Sequence, residues 1–204
     1  AVGWSDNYQF SESEIFDIQD QVGTEILNYL HINVVTGSTT KDWIKKFGTL
    51  ENLTLILNAR NEWRKYSPES HAAYWKYIER VEKNIGEGSP AMDSSKAWGL
   101  YQKIGLGLST DIETDKARMF EYADADIENY GSAGSYGLRA LLELRHGSVG
   151  CSKATELARK ATQIGGAGDA FTIAGTVERK CGDMNVSINN FKNALRTTPN
   201  DNGY

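Results

Sequence analysis

The chain has 204 residues, of which 40% are hydrophobic and 24% charged, with a formal net charge of −5 and a pI near 5.3. This length suits one large domain or two small ones, and the composition is that of an ordinary globular chain. The acidic balance argues against a nucleic-acid surface, and no apolar run approaches the roughly 18 residues of a membrane span, so any anchor or targeting segment is expected outside this sequence.

In chain order, the first feature is GWSDNYQF, followed by a capped amphipathic segment. Ser11 and Glu14 form a capping box, and Ile15, Ile18, Val22, Ile26 and Leu30 form one stripe at helical spacing. HINVV (31–35) is the only convincing strand-like alternation. KDWIKK (Lys41 to Lys46) is the longest basic cluster and is too short and isolated to serve nucleic acid. Two of the three prolines follow serine, at 67–68 and 89–90, and Ser-Pro is a helix-start signal. After Pro68, Tyr74, Ile78, Val81 and Ile85 mark a helical face, and Ala97, Tyr101, Ile104 and Leu108 mark another. TDIE (110–113) reads as a capping box ahead of the stripe Ala117, Phe120, Ala123, Ile127 and Tyr130. The prediction is an all-α chain of antiparallel hairpins near 52–86, 95–130, 135–164 and 168–197. Residues 1–50 form a connecting piece, and 51–204 form the helical domain.

Pairs of positions also recur. Tyr136, Ala140 and Gly147 have counterparts Phe171, Gly175 and Gly182, each 35 residues on, while Ala154 and Ala161 answer to Ser187 and Ala194, each 33 on. The offset shrinks because the turn HGSVGCS is two residues longer than CGDMN. Such spacing places an aromatic wedge beside a small residue that lets helices approach closely.

No catalytic constellation stands out. His31, His71 and His146 are isolated, with no cysteine or acid at metal or triad spacing. No nucleophile elbow occurs. GLGLS (105–109) and GGAG (165–168) lack the strand and lysine of a phosphate loop and read as turns. In ADAD (123–126), Asp124 and Asp126 fall on different helix faces. No metal or cofactor is implied, and the chain reads as a non-enzyme.

The last unit, DAFTIAGTVERKCGDMNVSINNFKNALRTTPND, resembles a tetratricopeptide repeat. Phe171, Gly175, the Gly182-Asp183 turn, Ser187, Phe191, Ala194 and Pro199 fall on the motif's positions, while Glu178 stands where an aromatic is usual. The resemblance implies a groove lined by the first helices of the hairpins. By register, its candidate residues are Leu141, Leu144, Arg145, Thr172, Thr176, Arg179 and Lys180, and Arg145, Arg179 and Lys180 suit an acidic protein or peptide segment. Basic residues near helix C-termini are equally what the macrodipole favours.

A second resemblance covers more of the chain. Trp4, Asp6, Tyr8, Ile15, Phe16, Ile18, Gln19 and Asp20 are similar to the segment that closes the TolB-like lobe of bacterial class III adenylate/guanylate cyclases carrying such repeats. TLENLTLILNARNEWRKYSPESHAAYWKYIERVEKNI is similar to their first repeat region. Similar regions follow the DNA-binding domain of membrane-bound regulators of the CadC type. What this implies is that residues 1–50 are the end of such an upstream TolB-like α/β lobe with a connecting helix. It also implies that the chain is a non-catalytic sensory or interaction module of a multidomain signalling protein that regulates a cyclase. The alternatives are the sensor of a CadC-type regulator or a stand-alone scaffold.

Two further expectations concern the last hairpins. Helix 184–197 is expected to leave Val186, Phe191 and Leu195 open to a second copy or a partner, since solenoid ends need covering. Cys151, at the start of one second helix, and Cys181, at the end of the next first helix, are expected side by side. There they form either a disulfide or a pair of buried thiols. A bridge would place the module outside the cytoplasm.

Overall fold

The computed structural model describes residues 46–164 and 168–197, and the features read at 1–45, 165–167 and 198–204 lie outside it. Among the described residues there are eight α-helices and no strands: α1 Leu50–Arg64, α2 Pro68–Ile85, α3 Asp93–Gly105, α4 Ile112–Tyr130, α5 Ala133–His146, α6 Cys151–Ile164, α7 Gly168–Cys181 and α8 Met184–Thr197. They pair as four antiparallel hairpins. Each second helix also packs on the first helix of the next hairpin. The fold is an all-α hairpin array.

The helix starts follow from their caps. Thr49 accepts from the Asn52 N–H at α1, and Ser67 and Ser70 cap α2 reciprocally with Pro68 in the first turn. The Ser-Pro pair at 89–90 behaves differently: Pro90–Met92 is a 3₁₀ turn without a side-chain cap, and α3 begins only at Asp93. At α4 the cap is Asp111, one residue after the expected Thr110, because its carboxylate reaches the Thr114 N–H at 3.1 Å.

Tyr74, Ile78 and Val81 of α2 are at most 4% exposed, as their spacing requires, and sit in a core with Leu53, Ile56 and Met92. Burying each of these large side chains contributes about 1.5–3 kcal/mol. On α4 the buried face is turned from the expected one. Met119, Ala123 and Asp126 are buried, whereas Ala117 and Tyr130 are exposed. Asp126 is tolerated inside because Lys46 Nζ meets its carboxylate at 2.7 Å while lying 4.2 Å from the Tyr130 ring centre. Asp124 points elsewhere, to Arg139 at 2.6 Å.

The small residues of the repeated unit allow close approach. A Cβ on Gly175 would lie 2.9 Å from the Phe191 ring, and Ser187 Oγ donates to the Gly175 carbonyl at 2.7 Å. Ala154 and Ala161 are fully buried.

Three helices end in one way. Glu82, Glu143 and Glu178 each stand four residues before a glycine, and each carboxylate accepts N–H groups of the turn that follows. The donors are Gly88 at 3.2 Å, Val149 and Gly150 at 3.0 and 3.1 Å, and Asp183 at 3.2 Å. Each carboxylate is also paired with a cation: Lys96, Arg139 and Arg159 respectively. A Cβ at Gly147 or Gly182 would fall 2.2 or 1.9 Å from the carboxylate, so a side chain there would push the glutamate off its turn. Glu178 thus replaces the expected aromatic with a turn-binding group.

The last helix exposes Met184, Val186, Ile188 and Leu195 by 42–64%; Phe191 is half-buried against Gly175. Cys151 and Cys181 are joined in a disulfide, with Cα atoms 5.3 Å apart, tying the start of α6 to the end of α7. In the chain-entropy model a loop of this size contributes on the order of 3–4 kcal/mol.

The Glu143 turn gives a pH-dependent prediction. Burial pushes the Glu143 carboxyl up, but Arg139 and the Gly150 and Val149 N–H groups outweigh it and hold the pKa below 4.5. The stabilisation is therefore complete above about pH 4.5 and is lost as pH falls through the lower folded value. Glu143→Ala is expected to cost about 1–3 kcal/mol in urea unfolding at neutral pH. The gap between wild type and variant should narrow on acidification.

Candidate functional site

The first helices α1, α3, α5 and α7 form one layer. Packed helices lie roughly 8–10 Å apart, so a flat layer would separate α1 from α7, with α3 and α5 between them, by roughly 25–30 Å. Arg60 of α1 nevertheless donates to the Asp169 carboxylate of α7 at 2.5 Å. The layer must curl, and the first helices line the inside of a trough.

Aromatic rings run across this layer edge to face. Trp63 of α1 lies 5.1 Å from Trp98 of α3, Trp98 is 5.8 Å from Tyr101, and Tyr101 is 5.9 Å from His146 of α5. All four side chains are half-buried. Tyr66 continues the band at its α1 end. It is 48% exposed and the only described non-glycine residue with positive φ, at +50°. Its hydroxyl lies where a Cβ on Gly105 would be, 2.2 Å away, so glycine in α3 makes room for the ring.

A buried chain of hydrogen bonds holds the band from behind. The Trp75 indole N–H, which can only donate, points at His71 Nε2 at 3.0 Å. The His71 proton therefore sits on Nδ1, which donates to Gln102 Oε1 at 2.9 Å. That fixes the Gln102 amide, whose NH₂ donates to the Trp63 carbonyl at 2.6 Å. The Trp63 indole N–H in turn donates to the Trp98 carbonyl at 3.1 Å. Gln102 is fully buried, and every link in the chain is satisfied.

The residues expected in the groove divide. Arg145 and Arg179 are exposed, and Leu141, Thr172 and Thr176 are half-buried, with Thr176 Oγ1 donating to the Thr172 carbonyl at 3.0 Å. Leu144 does not line the trough. It is 7% exposed and packs with Ala154, Leu157 and Ala158 of α6, because it falls one turn from Ala140 on the inward face of α5. Lys180 is exposed, but its ammonium donates to the Leu144 carbonyl at 3.4 Å and so serves the C-terminus of α5. Trp63, Trp98, Tyr101 and His146 were not among the expected residues. They come from three different helices, and no single stretch of sequence brings them together.

Charge near the band is positive. Burial raises the Tyr101 pKa, with Arg145 opposing the shift and Tyr66 adding to it. Burial also lowers the His146 pKa, helped by Lys116 and Arg145. Among the described residues, no three His, Cys, Asp or Glu side chains gather closely enough to hold a metal ion. None of the described helices is long and apolar enough to cross a membrane.

Comparison with protein-family models, with curated proteins and with solved structures gave no match. The cyclase-type likeness thus rests on the quoted residues alone, and those at 4–20 lie outside the described part.

Protonating His146 places a third positive charge beside Arg145 and Lys116. Its folded pKa lies below the ordinary 6.5, so the unfolded chain takes up the proton first, and the stabilisation present above about pH 6.5 is lost as pH falls below it. An NMR titration should give His146 a midpoint below 6.5, and His146→Gln should flatten stability between pH 7 and 5 relative to wild type.

Proposed function

We propose that this chain is a non-catalytic interaction module that receives an acidic, aromatic-bearing peptide segment of a partner protein along the trough. The observation that carries this reading is the half-exposed ring band from Trp63 to His146, with Arg145 exposed beside it. Flat rings offer contact area at little entropic cost, and an arginine fork suits a carboxylate. The pairing of first and second helices, with the small residues at 154, 161, 175 and 187, supports the tetratricopeptide form of the array. In its most specific form the module regulates an output domain of a signalling protein, a nucleotide cyclase by the resemblance quoted above. The Cys151–Cys181 bridge supports an oxidising, extracytoplasmic setting.

Calorimetry with an acidic, tryptophan-containing decapeptide and its lysine-substituted counterpart tests the reading. The acidic peptide should bind, and Arg145→Glu should weaken it about tenfold, the effect of losing one charge-assisted pair of roughly 1.4 kcal/mol. Equal binding of both peptides, or indifference to the substitution, would overturn it.

The exposed side chains of α8 support a second contact, between copies of the chain. Sedimentation should show concentration-dependent dimers that Val186→Glu with Leu195→Glu abolishes. A monomer at all concentrations would remove this part of the proposal.

A further inference from the structure

We propose that the Cys151–Cys181 bridge is an exchange site for anionic low-molecular-mass thiols of the glutathione class. This inference rests on the bridge and its surroundings and is independent of the peptide-binding reading. Cys151 is exposed and Cys181 half-buried. Both line an open cavity of about 680 Å³, shared with Thr155, Glu156, Arg159 and Lys160. That volume is in the range of small-molecule sites.

The cavity carries charge suited to an anion. Arg159 is anchored by its Nε to the buried Glu178 carboxylate at 3.2 Å, while its side chain remains 66% exposed. Lys160 Nζ lies 4.3 Å from the centre of the Tyr136 ring. The one carboxylate of the wall, Glu156, is engaged by Lys153 at 3.1 Å. Lys160, which pairs with no carboxylate among the described residues, and the exposed part of the Arg159 guanidinium that Glu178 leaves uncovered are therefore available to the carboxylates of an entering thiol.

The two sulfurs are not equivalent. Cys151 is the first residue of α6, where unpaired N–H groups and the helix dipole stabilise a thiolate. Cys181 is the last residue of α7, where the dipole opposes one. The incoming thiolate sulfur bonds to Cys181 Sγ as the Cys181–Cys151 bond breaks, and the electron pair leaves on Cys151 Sγ. The products are a mixed disulfide at Cys181 and a thiolate at Cys151, with no oxidant or reductant beyond the thiol itself. Return attack by Cys151 reverses the step, so the site cycles between bridge and adduct.

The full folded chain would be treated with glutathione, quenched in acid, alkylated and mapped by mass spectrometry. Glutathione is expected on Cys181 and the alkyl group on Cys151. Lys160→Gln, and separately Arg159→Gln, should slow exchange with glutathione about three- to tenfold. Exchange with neutral 2-mercaptoethanol should stay within about twofold, which controls for any loosening of the fold caused by either substitution. An adduct on Cys151 would overturn the proposal, as would exchange that occurs only in denaturant or equal slowing with both thiols.

Discussion

The buried carboxylate at a helix end is the constraint on which this array depends. A hairpin repeat is defined by the angle at its turn, and a turn of a few residues leaves several backbone N–H groups without helical partners. Glu143 and Glu178 accept those N–H groups from inside the hairpin, and Glu82 does the same where one hairpin hands over to the next. The cost of burying each negative charge is offset by a cation from a neighbouring turn or helix. The arrangement also favours the glycine that follows at Gly147 and Gly182, since a side chain there would displace the carboxylate from the turn. Turn and charge partner recur together three times, and the glycine packed against the carboxylate joins them at Gly147 and Gly182.

The second organising element is polar as well. The run from Trp75 through His71 and Gln102 to Trp63 crosses from α2 through α3 to α1, and each member has one available direction of donation. Such a network adds little net stability over apolar packing, but it allows one arrangement of the amide and the imidazole. The rings facing the trough are therefore set by groups that no ligand would touch.

Much of this was legible in the residues, and what was not has a physical cause. The α2 face could be read because Tyr74, Ile78 and Val81 answer only to local periodicity and lie within one hairpin. The α4 face could not, because Asp126 is carried inward by Lys46, 80 residues away in sequence, and a lone aspartate gives no sign of that partner. Leu144 was misplaced because groove register alone does not separate the trough side of α5 from the side facing α6. The ring band escaped for a related reason: Trp63, Trp98 and His146 become neighbours only once three first helices are stacked. The cysteine pair was easier, since helix order alone brings the start of α6 to the end of α7, although sequence could not choose between bridge and thiols.

The contact between Arg60 and Asp169 changes what kind of object the array is. In an open solenoid each repeat touches only its neighbours, so stability is a one-dimensional sum and the ends fray independently. Here the first hairpin reaches the fourth, although the two side chains are 36% and 40% exposed and a pair of this kind contributes only about 0–1 kcal/mol. The curl is thus set by helix packing and only registered by the ion pair. Spreading the trough would therefore part packed helices as well as the Arg60–Asp169 pair. The two ends of the array are thus neighbours in space, although 109 residues separate Arg60 from Asp169 in sequence.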